Sequence, residues 1–120
     1  MKDNVVREKS FAFALRVVKL AKFLQEEKRE FVLSKQVLRS GTTIGALVRE
    51  AEHAESKPDF AHKMNVALKE ANETLYWLDL LHQSGYFSDD SFESIRNDSE
   101  ELVKLLVSIV NTTKAALHAK

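Results

Sequence analysis

Apolar positions recur at three- and four-residue spacing through four stretches of the chain, separated by short polar breaks. The clearest stripe is Leu33, Val37, Gly41, Ile44, Val48 and Ala51, which share one helical face and predict a helix over about residues 32–55. Phe60, Met64, Ala67, Leu68, Ala71, Leu75 and Leu78 predict another over about 58–84. Phe92, Ile95, Leu102, Val103, Leu106, Ile109, Val110 and Leu117 predict a last one over about 89–116. The first segment, about 5–28, is broader. Its apolar set (Phe11, Phe13, Ala14, Leu15, Val17, Val18, Leu20, Ala21, Leu24) covers more than half the circumference. A helix burying one stripe needs an arc of only about 100°. On this reading Phe13, Leu20 and Leu24 lie beyond the core stripe, and Arg16 and Lys19, with Lys9, mark the wet side.

The breaks carry their own signals. Ser56-Lys57-Pro58 offers a capping hydroxyl and a proline suited to a first helical turn. Gly85 reads as a left-handed residue ending the third helix, and Ser88-Asp89-Asp90 as a cap with acids at the positive end of the fourth. Connections this short make sequential helices antiparallel neighbours. The expected fold is all-α: a single domain over residues 1–120, an up-down-up-down antiparallel four-helix bundle. No strand pattern competes with it, and three glycines and one proline leave little room for tight β-turns.

Composition narrows the function classes. Hydrophobic residues at 44% and charged residues at 30% suit a globular chain and are too apolar for disorder. The absence of cysteine removes disulfides, thiolate metal sites and a cysteine nucleophile. No apolar run approaches the roughly 20 residues that span a bilayer, and the N-terminus lacks the apolar core of a signal peptide. A cytoplasmic protein is the expectation. Net charge is zero, which argues against a strongly nucleic-acid-binding domain. The charge is unevenly spread, however: residues 1–29 carry eight Lys/Arg against four acids, and the remainder ten against fourteen.

The stretch LRSGTTIGALVREA, residues 38–51, tests a nucleotide-binding reading. A phosphate loop needs a preceding strand and a lysine directly after its second glycine. Here apolar periodicity runs straight through, and Ala46 follows Gly45. Each glycine inside a helix costs ~1 kcal/mol against alanine, so Gly41 and Gly45 imply close packing of a neighbouring element. Glu50-x-x-His53 and Asp79-x-x-His82 resemble halves of a bundle metal site. His53 sits beside the turn at Lys57, whereas His82 lies 25 residues beyond it, roughly 35–38 Å along a helix. One metal centre cannot hold both. No triad or paired-carboxylate signature appears, so neither catalytic residues nor a cofactor are expected.

The third helix carries a second stripe opposite its core: Val66, Glu73, Trp77 and Leu80, bordered by Glu70. In a lone monomer Trp77 and Leu80 would be largely wet. The second helix has an outward stripe of Arg39, Thr43, Ala46 and Glu50, and a turn near Lys57 places Arg39 within one helical turn of Glu73, close enough for an ion pair. Three helices thus carry more apolar surface than one bundle buries, a mark of protein–protein contact. The basic side of the first helix (Lys9, Arg16, Lys19, Lys22) is the candidate for phosphate contact.

In LSKQVLRSGTTIG (33–45), EA (50–51), DF (59–60) and ALKEANETLYWLDLL (67–81), the chain resembles the four-helix-bundle proteins encoded by intervening sequences in bacterial 23S rRNA genes. The resemblance covers nearly the whole chain. It implies a small bacterial up-down-up-down bundle, often a homopentamer, with no established enzymatic activity. The chain is also similar to the accessory variability protein of diversity-generating retroelements, a basic relative that works with a reverse transcriptase and is held to bind nucleic acid. Two departures stand out. Leu47 replaces the asparagine common after Ser-Ile-Gly-Ala, and the neutral charge differs from the basic relative. Through the resemblance, Arg39, Glu50, Glu70, Glu73 and Trp77 carry over as structural or interface positions. The expected function is a non-enzymatic oligomeric scaffold of unknown cellular role, for which RNA or a nucleic-acid-processing protein is the candidate partner and the basic face of helix one the candidate contact. The alternative is a pure protein–protein module serving a reverse-transcriptase-like or other neighbour-encoded enzyme. A metal-dependent bundle enzyme ranks last.

Overall fold

The computed structural model describes residues 2–119, with side-chain surroundings from residue 5 onward. Four helices follow one another: α1 (Lys2–Glu26), α2 (Leu33–Ala51), α3 (Lys57–Gln83) and α4 (Asp89–His118). There is no strand among the described residues. Each of α1 and α3 packs against both α2 and α4, while the Cα atoms of the diagonal pairs stay more than 8 Å apart. The four make a rod of 53 × 22 × 22 Å.

The ends follow from local chemistry. Ser56 and Ser88 stand in extended conformation before α3 and α4, and their hydroxyls accept from the N–H of Asp59 and of Ser91, each at 3.2 Å. Gly85, at φ +84°, ends α3, with the Tyr86 N–H returning to the Leu81 carbonyl at 3.0 Å. Helix α2 stops at Ala51, four residues short of the expectation. The N–H groups of His53 and Ala54 bond three residues back, to Glu50 and Ala51, and that tightening unwinds the last turn. Helix α1 stops at Glu26, because Arg29 adopts the left-handed conformation at φ +56° and the Glu30 N–H returns to the Leu24 carbonyl at 2.9 Å.

No serine or aspartate caps α2. The Glu30 carboxylate does so instead, accepting from the N–H groups of Ser34 (2.7 Å), Leu33 (3.0 Å) and Val32 (3.2 Å). Partial desolvation pushes its pKa up, but the three donors outweigh that and hold it below the ordinary carboxylate value. A depressed pKa contributes stability above the ordinary carboxylate range, and that stability is lost as pH falls through the folded-state value. Glu30→Ala is therefore expected to cost about 0.5–2 kcal/mol at pH 7, as loss of a helix cap does. Urea unfolding at pH 7 and pH 3 should show the gap to the wild type shrinking on acidification.

The α2 stripe is buried as its spacing predicts: Val37, Ile44 and Val48 are fully enclosed, with Gly41, Ala51, Ser34 and Ser40 beside them. Leu33 is only half-buried. In α3 the buried face is rotated from expectation. Thr74 and Leu81 are enclosed, while Phe60, Leu68 and Leu75 are half-buried. The largest correction concerns α1. Phe13, Leu20 and Leu24 belong to the core, together with Val6 and Val17, and Phe11, Leu15 and Val18 point outward. The physical reason lies in α2, whose glycines select the α1 face. Val17 sits directly over Gly41, where an added Cβ would lie 2.7 and 2.8 Å from the two valine methyls. Ser10 sits over Gly45, with its carbonyl oxygen 3.4 Å from such a Cβ.

Candidate functional site

The outward cluster expected on α2 and α3 is a clasp within the chain. Arg39 is exposed and bonds Glu70 Oε1 at 3.1 Å through one terminal nitrogen and Glu73 Oε2 through the other. The Trp77 indole N–H donates to the same Glu73 oxygen at 2.9 Å. The Trp77 bond and then the Arg39 bond hold the Glu73 carboxyl below its usual range, against partial desolvation. Beneath this layer the buried Thr74 and Ser40 hydroxyls pair at 2.9 Å. Val66, Trp77 and Leu80 are half-buried rather than wet, and the Trp77 ring folds against the core. Glu50 is exposed at the far end of α2. What remains open is Tyr76, 59% exposed and edge-on to Trp77 at 5.0 Å.

The basic side of α1 is only partly free. Lys9 pairs with Glu101 at 3.1 Å. Arg16 pairs with Asp98 at 2.7 Å and also reaches the Ser94 carbonyl and hydroxyl. The excess of cations in the first 29 residues is thus met in part by acids of α4. Lys19 and Lys22 are exposed and make no ion pair among the described residues.

Next to these lysines, Phe11, Leu15 and Val18 recur at helical spacing on the outer face of α1, 50%, 50% and 39% exposed. The Arg49 guanidinium lies 5.1 Å from the Phe11 ring centre, so α2 borders the same strip.

A cleft of about 710 Å³ opens where the C-terminal half of α1 meets the α3–α4 turn and the start of α4. Leu20, Phe23, Phe87 and Ile95 supply its apolar surface, and Arg16, Lys19 and Lys28 its charge. It was not legible in the sequence, because Phe23 and Phe87 come together only through the fold. The one local hint is an apolar pair, Tyr86-Phe87, directly after the left-handed Gly85.

The two histidine half-sites are separate, and Asp79 and His82 of the second are otherwise engaged. Asp79 accepts from Arg96 Nε at 2.9 Å. His82 lies 2.6 Å from Asp89 and stacks flat on Phe92 at 3.9 Å, which ties the end of α3 to the start of α4. His53 is exposed in the α2–α3 turn. No group of three or more His, Asp or Glu side chains is arranged to hold a metal ion among the described residues.

Four helices joined by short turns, with a glycine-seated α1–α2 contact and the Arg39–Glu73–Trp77 clasp, carry the sequence blocks LSKQVLRSGTTIG and ALKEANETLYWLDLL on facing helices. The family described as 23S rRNA-intervening sequence protein matches residues 2–108. The chain belongs to this family. A crystal structure from Bacteroides thetaiotaomicron VPI-5482, described as a protein with unknown function from the S23 ribosomal protein family, is 60% identical to this intervening-sequence protein. The likeness covers 92% of this chain and 99% of that one, with a TM-score of 0.90. No curated protein matches. Among the described residues of the intervening-sequence protein, no helix is long and apolar enough to cross a membrane.

Proposed function

We propose that this protein is a non-enzymatic helical-bundle module that acts by contact with other macromolecules, and first of all with copies of itself. Its helices are inferred to alternate in direction. In keeping with this, Val17 meets Gly41 while Ser10, earlier in α1, faces Gly45, later in α2. The observation that carries the assembly reading is the Phe11–Leu15–Val18 strip, three large apolar side chains in register and half in water. Such a strip on a small bundle is costly unless covered. A closed symmetric oligomer covers it with a like surface, and five subunits is the number the family resemblance implies.

RNA contact is the second reading, favoured by the unpaired Lys19 and Lys22 beside the strip. It ranks lower because Lys9 and Arg16 are held by Glu101 and Asp98. Light scattering tests the assembly reading. The wild type is expected at two or more times 13.7 kDa, and Leu15→Glu with Val18→Glu at the single-chain mass with unchanged helicity. A wild type that is monomeric at tens of micromolar would overturn it.

A further inference from the structure

The cleft between α1 and the α3–α4 turn combines an apolar wall with charge of one sign. Its walls are mainly apolar, with Leu20 and Ile95 buried at the base and Phe23 and Phe87 more open. All the charges lining it are positive, and no acidic side chain lines it. Arg16 is engaged by Asp98, but Lys19 and Lys28 have no carboxylate partner among the described residues. Lys28 instead stands 5.7 Å from the centre of the Phe23 ring, at the junction of the charged and apolar parts.

We propose that this cleft binds a small amphiphilic anion: a carboxylate or similar headgroup on an aliphatic or aromatic body. The charge selects the headgroup. Two lysines and a hydroxyl, that of Ser91, line the same opening, and no like-charged neighbour of the ligand would be met there. The apolar wall selects the body, since an inorganic anion would leave Phe23 and Phe87 in water, and burial of apolar surface supplies most of the binding free energy in such pockets. A neutral hydrocarbon fits the wall but leaves the lysines unanswered. The volume is of the size usual for small-molecule sites. The cleft adjoins the Phe11–Leu15–Val18 strip at Lys19, but none of the three strip residues lines it, so the proposal does not depend on self-assembly.

The test is a chemical-shift titration of the full chain with octanoate, set beside octanol, acetate and inorganic phosphate. Octanoate is expected to give saturable shifts centred on Lys19, Phe23, Phe87 and Ser91. Octanol should bind about tenfold more weakly, and acetate and phosphate should give no saturable shifts. Lys19→Gln with Lys28→Gln, both on exposed side chains, is expected to weaken octanoate about tenfold, the size two partly exposed ion pairs supply together. Ser91→Glu separates binding from folding. It sets a glutamate three residues after the Ser88 cap, a capping box that should keep or raise the melting temperature, and it places a negative charge in the cleft. Its octanoate binding should fall more than tenfold. Equal binding of octanol or phosphate, shifts centred on the Phe11 strip, or full binding by either variant would each overturn the proposal.

Discussion

Leu24→Ala is expected to remove about 2–5 kcal/mol of stability, the range for emptying a leucine-sized volume in a core, whereas Leu15→Ala should change the stability of the dissociated single chain by no more than about 0.5 kcal/mol. Both leucines lie in the apolar arc of α1, and by composition alone they are equivalent. Leu24 has no accessible surface and sits in the core cluster, where no neighbour can move in without leaving its own partners. Leu15 is half exposed, so truncation removes little that folding had buried. Urea unfolding of the two changes, each made in the Val18→Glu background that keeps the chain monomeric, measures the contrast. A Leu15→Ala variant less stable than Leu24→Ala would show α1 turned the other way in its groove.

Gly41→Ala is expected to destabilise by up to about 2 kcal/mol, although alanine is the better helix former by ~1 kcal/mol. The opposing term is steric. The new methyl would stand 2.7 Å from one Val17 methyl and 2.8 Å from the other. Val17 is fully buried and β-branched, so it has no spare rotamer in a helix to move into. Overpacking of this kind costs about 1–3 kcal/mol and exceeds the propensity gain at the upper end. Gly45→Ala is the internal control. Its methyl meets the Ser10 carbonyl at 3.4 Å, nearly ordinary contact, and the variant should be neutral or up to about 1 kcal/mol more stable. Thermal unfolding of Gly41→Ala, Val17→Ala and the double variant should give a double loss smaller than the two single losses together, because the shorter residue 17 makes room for the methyl.

These two expectations bear on how far the chain can be read before it folds. The α2 stripe, the Ser56 and Ser88 caps and the Gly85 terminus were legible because each rests on near neighbours in sequence. The Arg39–Glu73 pair was legible because one short turn sets the register of α2 against α3. The face of α1 was not. With apolar residues over more than half its circumference, many rotations bury a similar amount, and the choice rests with Gly41 and Gly45 on another helix. The burial of Trp77 was missed for a related reason: its indole finds a carboxylate at Glu73, which lets the ring turn inward without leaving its N–H unpaired. Glu30 as the cap of α2 followed from no motif, since it depends on Arg29 taking a left-handed conformation open to few residues other than glycine. The cleft was the least legible feature. Its two phenylalanines are far apart in sequence, and nothing local announces that Lys19 and Lys28 are left without acids.

The way the helices adjoin also bears on how quickly the chain reaches its native state. Three of the four seams join helices that follow one another, so each forms at the cost of closing a short turn. Only the α1–α4 seam, held by contacts such as Arg16 with Asp98, must bring together segments some 80 residues apart. Chains dominated by local contacts fold in microseconds to milliseconds. Of the four seams, the meeting of the first helix with the fourth carries the largest loop-closure cost, and the cleft, lined from both, needs that seam formed.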